Sequence, residues 1–78
     1  MNIYLIDADL PIDHYDQLQA AIVIANNTNE TRKVIIDEYV GDYMEIEENW
    51  LKAKITKLGI YTGDIKEPSI ILTDYLHG

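Results

Sequence analysis

The stretch Leu18-Gln19-Ala20-Ala21-Ile22-Val23-Ile24-Ala25 runs directly into Asn26-Asn27-Thr28-Asn29-Glu30, and this junction decides the fold. The first part is a nearly continuous apolar run, which predicts a strand that is buried on both faces or central in a sheet. In the second part, Asn27 and Glu30 fit a capping box with Asn in place of Ser or Thr, and Thr28 is an alternative cap. The sequence therefore predicts a buried strand followed by a helix.

The predicted helix runs from Thr28 to about Glu38. Three consecutive β-branched residues, 34–36, weaken helix propensity, so the position of its C-terminal end is left open between residues 34 and 45. Gly41 is a natural terminator. Helical spacing places a set of residues on one side, facing the sheet: Thr31, Val34, Ile35, and then Glu38 or Tyr39.

Three further segments have strand character. Residues 2–6 form a short β-prone run that ends in the acidic turn 7–11, and residues 12–17 are predicted to form a polar loop. From residue 51 apolar Leu51, Ala53 and Ile55 alternate with polar residues, which is typical of a half-buried strand. Glu67-Pro68 precedes the last strand, 69–75, and turns are expected at Gly59 and at 62–64.

These elements predict an α+β fold. The order is ββαββ, a four-stranded, mainly antiparallel sheet with one helix packed on a face, and residues 1–78 are expected to form a single domain. The chain lacks cysteine, so disulfides and thiolate zinc sites are excluded, and no cofactor is expected. Its longest apolar run is too short to span a bilayer, and the N-terminus lacks the features of a signal peptide.

Charge is the strongest compositional signal. The 78 residues include 14 acids and 6 Lys and Arg residues, for a formal net charge of −8. Residues 30–50 contain seven acids but only Arg32 and Lys33 as bases. Such a surface repels nucleic-acid phosphates and anionic lipids, and it favours a basic protein surface as the partner. Direct nucleic-acid binding and membrane binding are therefore not expected.

One motif is suggestive of catalysis. A hydrophobic strand followed by Asp7-Ala8-Asp9 resembles the start of haloacid-dehalogenase-like phosphatases and of some metal nucleases. That chemistry needs further carboxylates and a Lys or hydroxyl residue from a much larger sheet. Here Leu10-Pro11 replaces the usual small hydroxyl residue. A solvated turn is the preferred interpretation, and neither catalytic residues nor a metal site is predicted.

A denser cluster of acids lies between Asp37 and Trp50. Aromatic side chains beside uncompensated carboxylates suit a protein interface, because the aromatics bury area at low entropic cost while the acids steer a basic partner. The alternative is a solvated acidic loop whose Tyr and Trp residues close the edge of a thin core. The predicted protein-binding residues are Asp37, Glu38, Asp42, Tyr43, Glu45, Glu47, Glu48 and Trp50.

A set of short segments occurs in a fixed order along the chain: Tyr4-Leu5-Ile6, His14-Tyr15-Asp16, residues 21–25, residues 29–33, and a final block from Lys57-Leu58-Gly59 through residues 64–68 and 70–72 to Gly78. In the pattern and order of these segments the chain resembles short proteins encoded by phages and prophages of low-GC Gram-positive bacteria. The resemblance covers about two thirds of the chain, and residues 36–50 depart from it by being longer and more acidic.

The resemblance implies a viral accessory role, and by analogy an anti-defence, anti-CRISPR-like inhibitor in the host cytoplasm. Such a protein would act by stoichiometric binding to a basic surface of a host defence protein, CRISPR-associated or similar. A second hypothesis is a sponge for a small nucleotide immune signal, with Arg32, Lys33 and the amides of 28–31 as phosphate donors. A third is a non-catalytic part of a larger assembly, including a possible homodimer, in which residues 69–75 pair between copies.

Overall fold

The computed structural model describes residues 1–9, 18–39 and 47–75. The described residues form four strands and two helices: β1 (Asn2–Asp7), β2 (Leu18–Ala25), α1 (Thr28–Tyr39), α2 (Glu47–Leu51), β3 (Lys54–Ile60) and β4 (Ser69–Tyr75). The strands make one sheet in the order β3-β1-β2-β4, in which every neighbouring pair is antiparallel. The predicted α+β class, with four antiparallel strands and a main helix packed on the sheet, is confirmed.

β2 holds the central place that its apolar sequence predicted. It pairs with β1 on one side and with β4 on the other, and six of its eight residues are buried. Because neighbouring side chains on a strand point to opposite faces, Val23 and its partner Tyr4 share one face with Ala21 and its partner Ile6. These residues pack in the same core cluster as Ile35 of α1.

The core therefore lies between the helices and one face of the sheet. Its largest member is Trp50 of α2, whose side chain is fully buried, and Thr31 is buried beside Ile35 on α1. On the opposite face, Leu5 and Ile22 are half-buried and Leu72 is 65% exposed. This face is less completely covered than the core face, although Ala20 and Ile24, which also lie on it, are buried.

The helix start follows the predicted capping chemistry with one change. The amide of Glu30 donates to Asn27 Oδ1 at 2.9 Å, as an N-cap requires. The Glu30 carboxylate reaches back to the amide of Asn26, at 3.0 Å, rather than to that of Asn27. The Thr31 hydroxyl donates to the Asn27 carbonyl at 3.0 Å, which satisfies a buried polar group.

The segment before β3 differs from the prediction. The strand begins at Lys54, and Leu51 is the last residue of α2 and is 56% exposed instead of facing the core. The prediction that Leu51 begins a half-buried strand was wrong, because the turn of α2 that buries Trp50 directs the next residue, Leu51, outward. Gly59 lies within β3, next to an irregularity in pairing with β1, and not in a turn. The predicted loop at 12–17 lies outside the described residues.

Replacing Trp50 with Ala should destabilise the fold strongly. Loss of a fully buried indole costs about 3–5 kcal/mol, a large part of the 5–15 kcal/mol by which whole proteins are usually stable. Urea unfolding followed by circular dichroism measures the change. Leu51→Ala is the matched control, since the neighbouring side chain is largely exposed and should change stability by less than about 0.5 kcal/mol. Equal effects of the two substitutions would contradict the placement of Trp50.

Replacing Asn27 with Ala should lower stability by about 1 kcal/mol, because the Glu30 amide loses its side-chain acceptor. Asn29→Ala serves as the control, because Asn29 is exposed inside the first turn and Ala has the higher helix propensity. Thermal unfolding of both variants compares the two positions. A variant of Asn27 as stable as the wild type would show that the cap contributes nothing.

Candidate functional site

The predicted acidic residues that the structure describes lie on both helices. Asp37 and Glu38 are exposed in the last turn of α1, and Glu48 is exposed in α2. We call these three residues the acidic helix surface. Glu47 is the first residue of α2. The predicted residues Asp42, Tyr43 and Glu45 lie outside the described residues.

Arg32 of α1 links the two helices through hydrogen bonds to backbone carbonyls in and just after α2. Its Nη1 donates to the carbonyl of Trp50 at 2.9 Å and to the carbonyl of Ala53 at 2.7 Å. Both acceptors lie at the C-terminal end of α2, where carbonyls lack helical partners and a positive charge is favoured. The Arg32 guanidinium therefore fixes the position of α2, which carries Glu48, relative to α1.

Two lysines partly neutralise this surface. Lys33 Nζ lies 2.8 Å from Asp37 Oδ2, and Lys52 Nζ lies 2.6 Å from Glu48 Oε1. The hydrogen bond from Lys52 and then its charge lower the pKa of Glu48, while the hydrogen bond and charge of Asp37 raise the pKa of Lys33. Both pairs are solvent-exposed, so they add little to stability and are weakened by salt. Among the described residues, Glu38 makes no ion pair.

Glu38 also lines an open groove between α1 and β4. The groove encloses about 470 Å³ and is walled by Val34, Glu38 and Tyr39 of the helix and by Ile70, Ile71 and Thr73 of the strand. The sequence alone does not predict this groove, although the apolar edge strand 69–75 is one signal of it. The groove exists because β4 pairs with β2, and the sequence does not show which strands are neighbours.

Trp50 does not belong to the binding surface. The structure places its side chain in the core, where it contributes no exposed area. Of its two interpretations, an interface anchor or a residue that closes a thin core, the second is the one observed. Its Nε1 is buried and finds no hydrogen-bond partner within the described part of the chain. Tyr39 is half-buried and packs against the core, with one side in the groove.

The residues of the nucleotide-binding hypothesis are engaged elsewhere. Arg32 binds two backbone carbonyls, and Lys33 pairs with Asp37. The amides of Glu30 and Thr31 donate to Asn27, and the Glu30 carboxylate lies at the same helix end. A phosphate there would meet a negative charge and would compete with bonds that already hold the fold.

The Asp7-Ala8-Asp9 motif forms a hydrogen bond that closes a backbone turn. Asp7 Oδ1 accepts from the amide of Asp9 at 2.8 Å, and Asp9 has a φ of 52°, in the left-handed region that Asp tolerates better than most residues. No cluster of three potential metal ligands occurs among residues 1–9, 18–39 and 47–75. Within those same ranges, neither helix has the length and apolarity needed to cross a bilayer.

Comparison with protein-family models, with curated proteins and with solved structures finds no match for this chain. What the chain does must therefore be inferred from its own residues.

Replacing Arg32 with Met should destabilise the protein by about 1.5–3 kcal/mol, because two hydrogen bonds from a charged group are lost while the apolar stem is kept. Lys33→Met removes the neighbouring charge but only an exposed ion pair, and it should have little effect. Chemical denaturation compares the two variants. If Arg32 served only to bind a ligand, its replacement would leave the free energy of unfolding unchanged. That result would contradict the structural role.

Proposed function

We propose that this chain is a small acidic viral accessory protein that acts by stoichiometric binding. Its partner would be the basic, nucleic-acid-binding surface of a host defence protein, CRISPR-associated or similar, which it would inhibit in the host cytoplasm. The observation that carries the proposal is the acidic helix surface, in which two packed helices present exposed carboxylates, and one of its residues, Glu38, also lines an open groove.

The arrangement of charge supports binding to a basic surface. Asp37, Glu38 and Glu48 stand on helices whose relative position is fixed by Arg32, so the backbone from which each carboxylate projects is in place before any partner arrives. Charges on an ordered backbone lose less conformational entropy on binding than charges on a flexible chain. A net charge of −8 also speeds the approach of a positively charged partner.

The same chemistry explains why a nucleic-acid site is the expected target. Grooves that hold phosphates present Lys and Arg side chains, and these pair with carboxylates as readily as with phosphate oxygens. A protein with fixed carboxylates would occupy the groove and exclude the nucleic acid without any covalent step. Binding rather than catalysis is proposed because the motif closest to an active site, Asp7-Ala8-Asp9, is used to close a backbone turn.

The test compares two sets of charge-neutralising substitutions. The first set is Asp37→Asn, Glu38→Gln and Glu48→Gln, and the second is Asp9→Asn, Asp64→Asn and Glu67→Gln, at exposed positions outside the acidic helix surface. Each set removes three negative charges and changes the formal net charge from −8 to −5, so the two proteins differ in where charge is lost and not in how much.

Tagged wild-type protein would first capture its partner from the lysate of a low-GC Gram-positive bacterium, and the purified partner would then be tested by biolayer interferometry. We expect the first set to slow association by about tenfold at low salt, with a smaller effect at high salt, and the second set to change it much less. Duplex DNA should compete with the wild-type protein. Equal association rates for the two sets, or a partner indifferent to DNA, would contradict the proposal.

A further inference from the structure

The two edges of the sheet are protected to different degrees. β3 carries exposed Lys54 and Lys57, and charged side chains on an edge strand, lysine above all, discourage pairing with another chain. β4 pairs only with β2 among the described residues, and its first five residues, 69–73, carry no charge. Its side chains Ile71 and Leu72 are 49% and 65% exposed. Both edge strands carry exposed apolar side chains, since Leu58 and Ile60 of β3 are 54% and 69% exposed. What distinguishes β4 is the absence of charge over residues 69–73.

Depressions lie on both sides of this edge. On the helix side is the groove of about 470 Å³, which contains the Glu38 carboxylate. On the open face of the sheet, a shallower pocket of about 170 Å³ is formed mainly by Leu5, Ala20, Ile22 and Leu72, with Asp74 at its end. Side chains of a strand added to β4 would point alternately into the groove on the helix side and onto the open face, where they would border the second pocket at Leu72, because successive residues point to opposite faces.

We infer that the β4 edge is a docking site for an extended, basic segment of a partner protein, which adds to the sheet as a fifth strand beside β4. Backbone hydrogen bonds to β4 would supply affinity, and the two depressions would supply specificity. Residues of the segment that face the helix side would be Lys or Arg, opposite Glu38, and the residues between them would be apolar and would contact Leu72, the apolar residue of the second pocket that lies on the edge strand.

Charge complementarity favours this occupant over a second copy of the chain. The lining of the two depressions includes the carboxylates of Glu38 and Asp74 but no Lys or Arg among its described residues. Two copies joined through β4 would unite two molecules of net charge −8 and would supply no cation from β4 residues 69–73 opposite these carboxylates. A basic segment relieves that repulsion. The inference rests on the proposed function, because it names the kind of segment through which the basic partner is held.

The probe is a synthetic seven-residue peptide with blocked ends in which lysine and valine alternate. Titration into isotopically labelled protein, followed by two-dimensional amide spectra, should shift the resonances of residues 69–75 and of the last turn of α1. Hydrogen exchange should slow for amides of β4 that lack a partner in the free protein. A peptide with glutamate in place of lysine should cause neither effect.

Two substitutions at matched positions separate this edge from general charge attraction. Ile71 and Leu58 are the residues left without a partner where the pairing of β4 and of β3 shifts by one residue, and they are 49% and 54% exposed. Ile71→Lys should weaken peptide binding by about tenfold, whereas Leu58→Lys, with the same change of charge, should weaken it by less than about twofold. Circular dichroism confirms that both variants fold.

Several results would overturn the inference. Shifts spread over exposed acids without slower exchange in β4 would mean that the peptide is attracted but not docked. Equal binding by the Ile71→Lys and Leu58→Lys variants would exclude the edge. A dimer of the free protein by light scattering that Ile71→Lys abolishes would assign the edge to a second copy instead.

Failure of this inference and failure of the proposed function give different results with the captured partner. If neutralising Asp37, Glu38 and Glu48 slows association but Ile71→Lys leaves it unchanged, the acidic surface stands and the added strand is wrong. If neither variant differs from the wild type, the proposed function fails as well.

Discussion

The main helix has only twelve residues and is too short to cover one face of the four-stranded sheet by itself. The rest of the structure depends on what covers the remaining part of that face. An α-helix of that length spans about 18 Å, so α1 leaves part of the face uncovered. The five-residue α2 supplies the missing area by inserting Trp50 beside Ile35. Five residues do not form a stable helix alone, so α2 depends on its buried indole and on the two hydrogen bonds from Arg32.

The same shortage leaves apolar surface elsewhere. Because the two helices are engaged on one face, Leu5, Ile22 and Leu72 form an incompletely covered strip on the other. β4 is an edge strand of the sheet, so a segment added along it would direct its side chains alternately to the covered face and to the open face. Burial of such a strip yields roughly 25 cal/mol per Å² of apolar area, enough to matter for binding when carboxylates orient the partner.

Local signals in the sequence were sufficient for β2, for β4 and for the start of α1, but not for α2 or for the site. The bounds of β2 and β4 and the N-cap at Asn27 could be predicted, because a continuous apolar run and a capping residue act over a few neighbours. α2 could not, since five residues show no helical period. The groove beside Glu38 depends on the pairing of β4 with β2, which are separated by more than forty residues, and the burial of Trp50 depends on contacts with α1. Both are tertiary effects that override local preference.

The excess of carboxylates opposes pairing between copies of the chain through the open edge of the sheet. An exposed apolar edge strand invites copies of the same chain to pair, and β4 lacks the lysines that guard β3. Electrostatic repulsion between molecules of charge −8 opposes that pairing, and at physiological salt it acts over about 8 Å, the range in which two edges would meet. The same field attracts a basic chain over that distance. In the proposed mode of binding, acidity beside β4 would therefore disfavour self-association and favour a cationic segment.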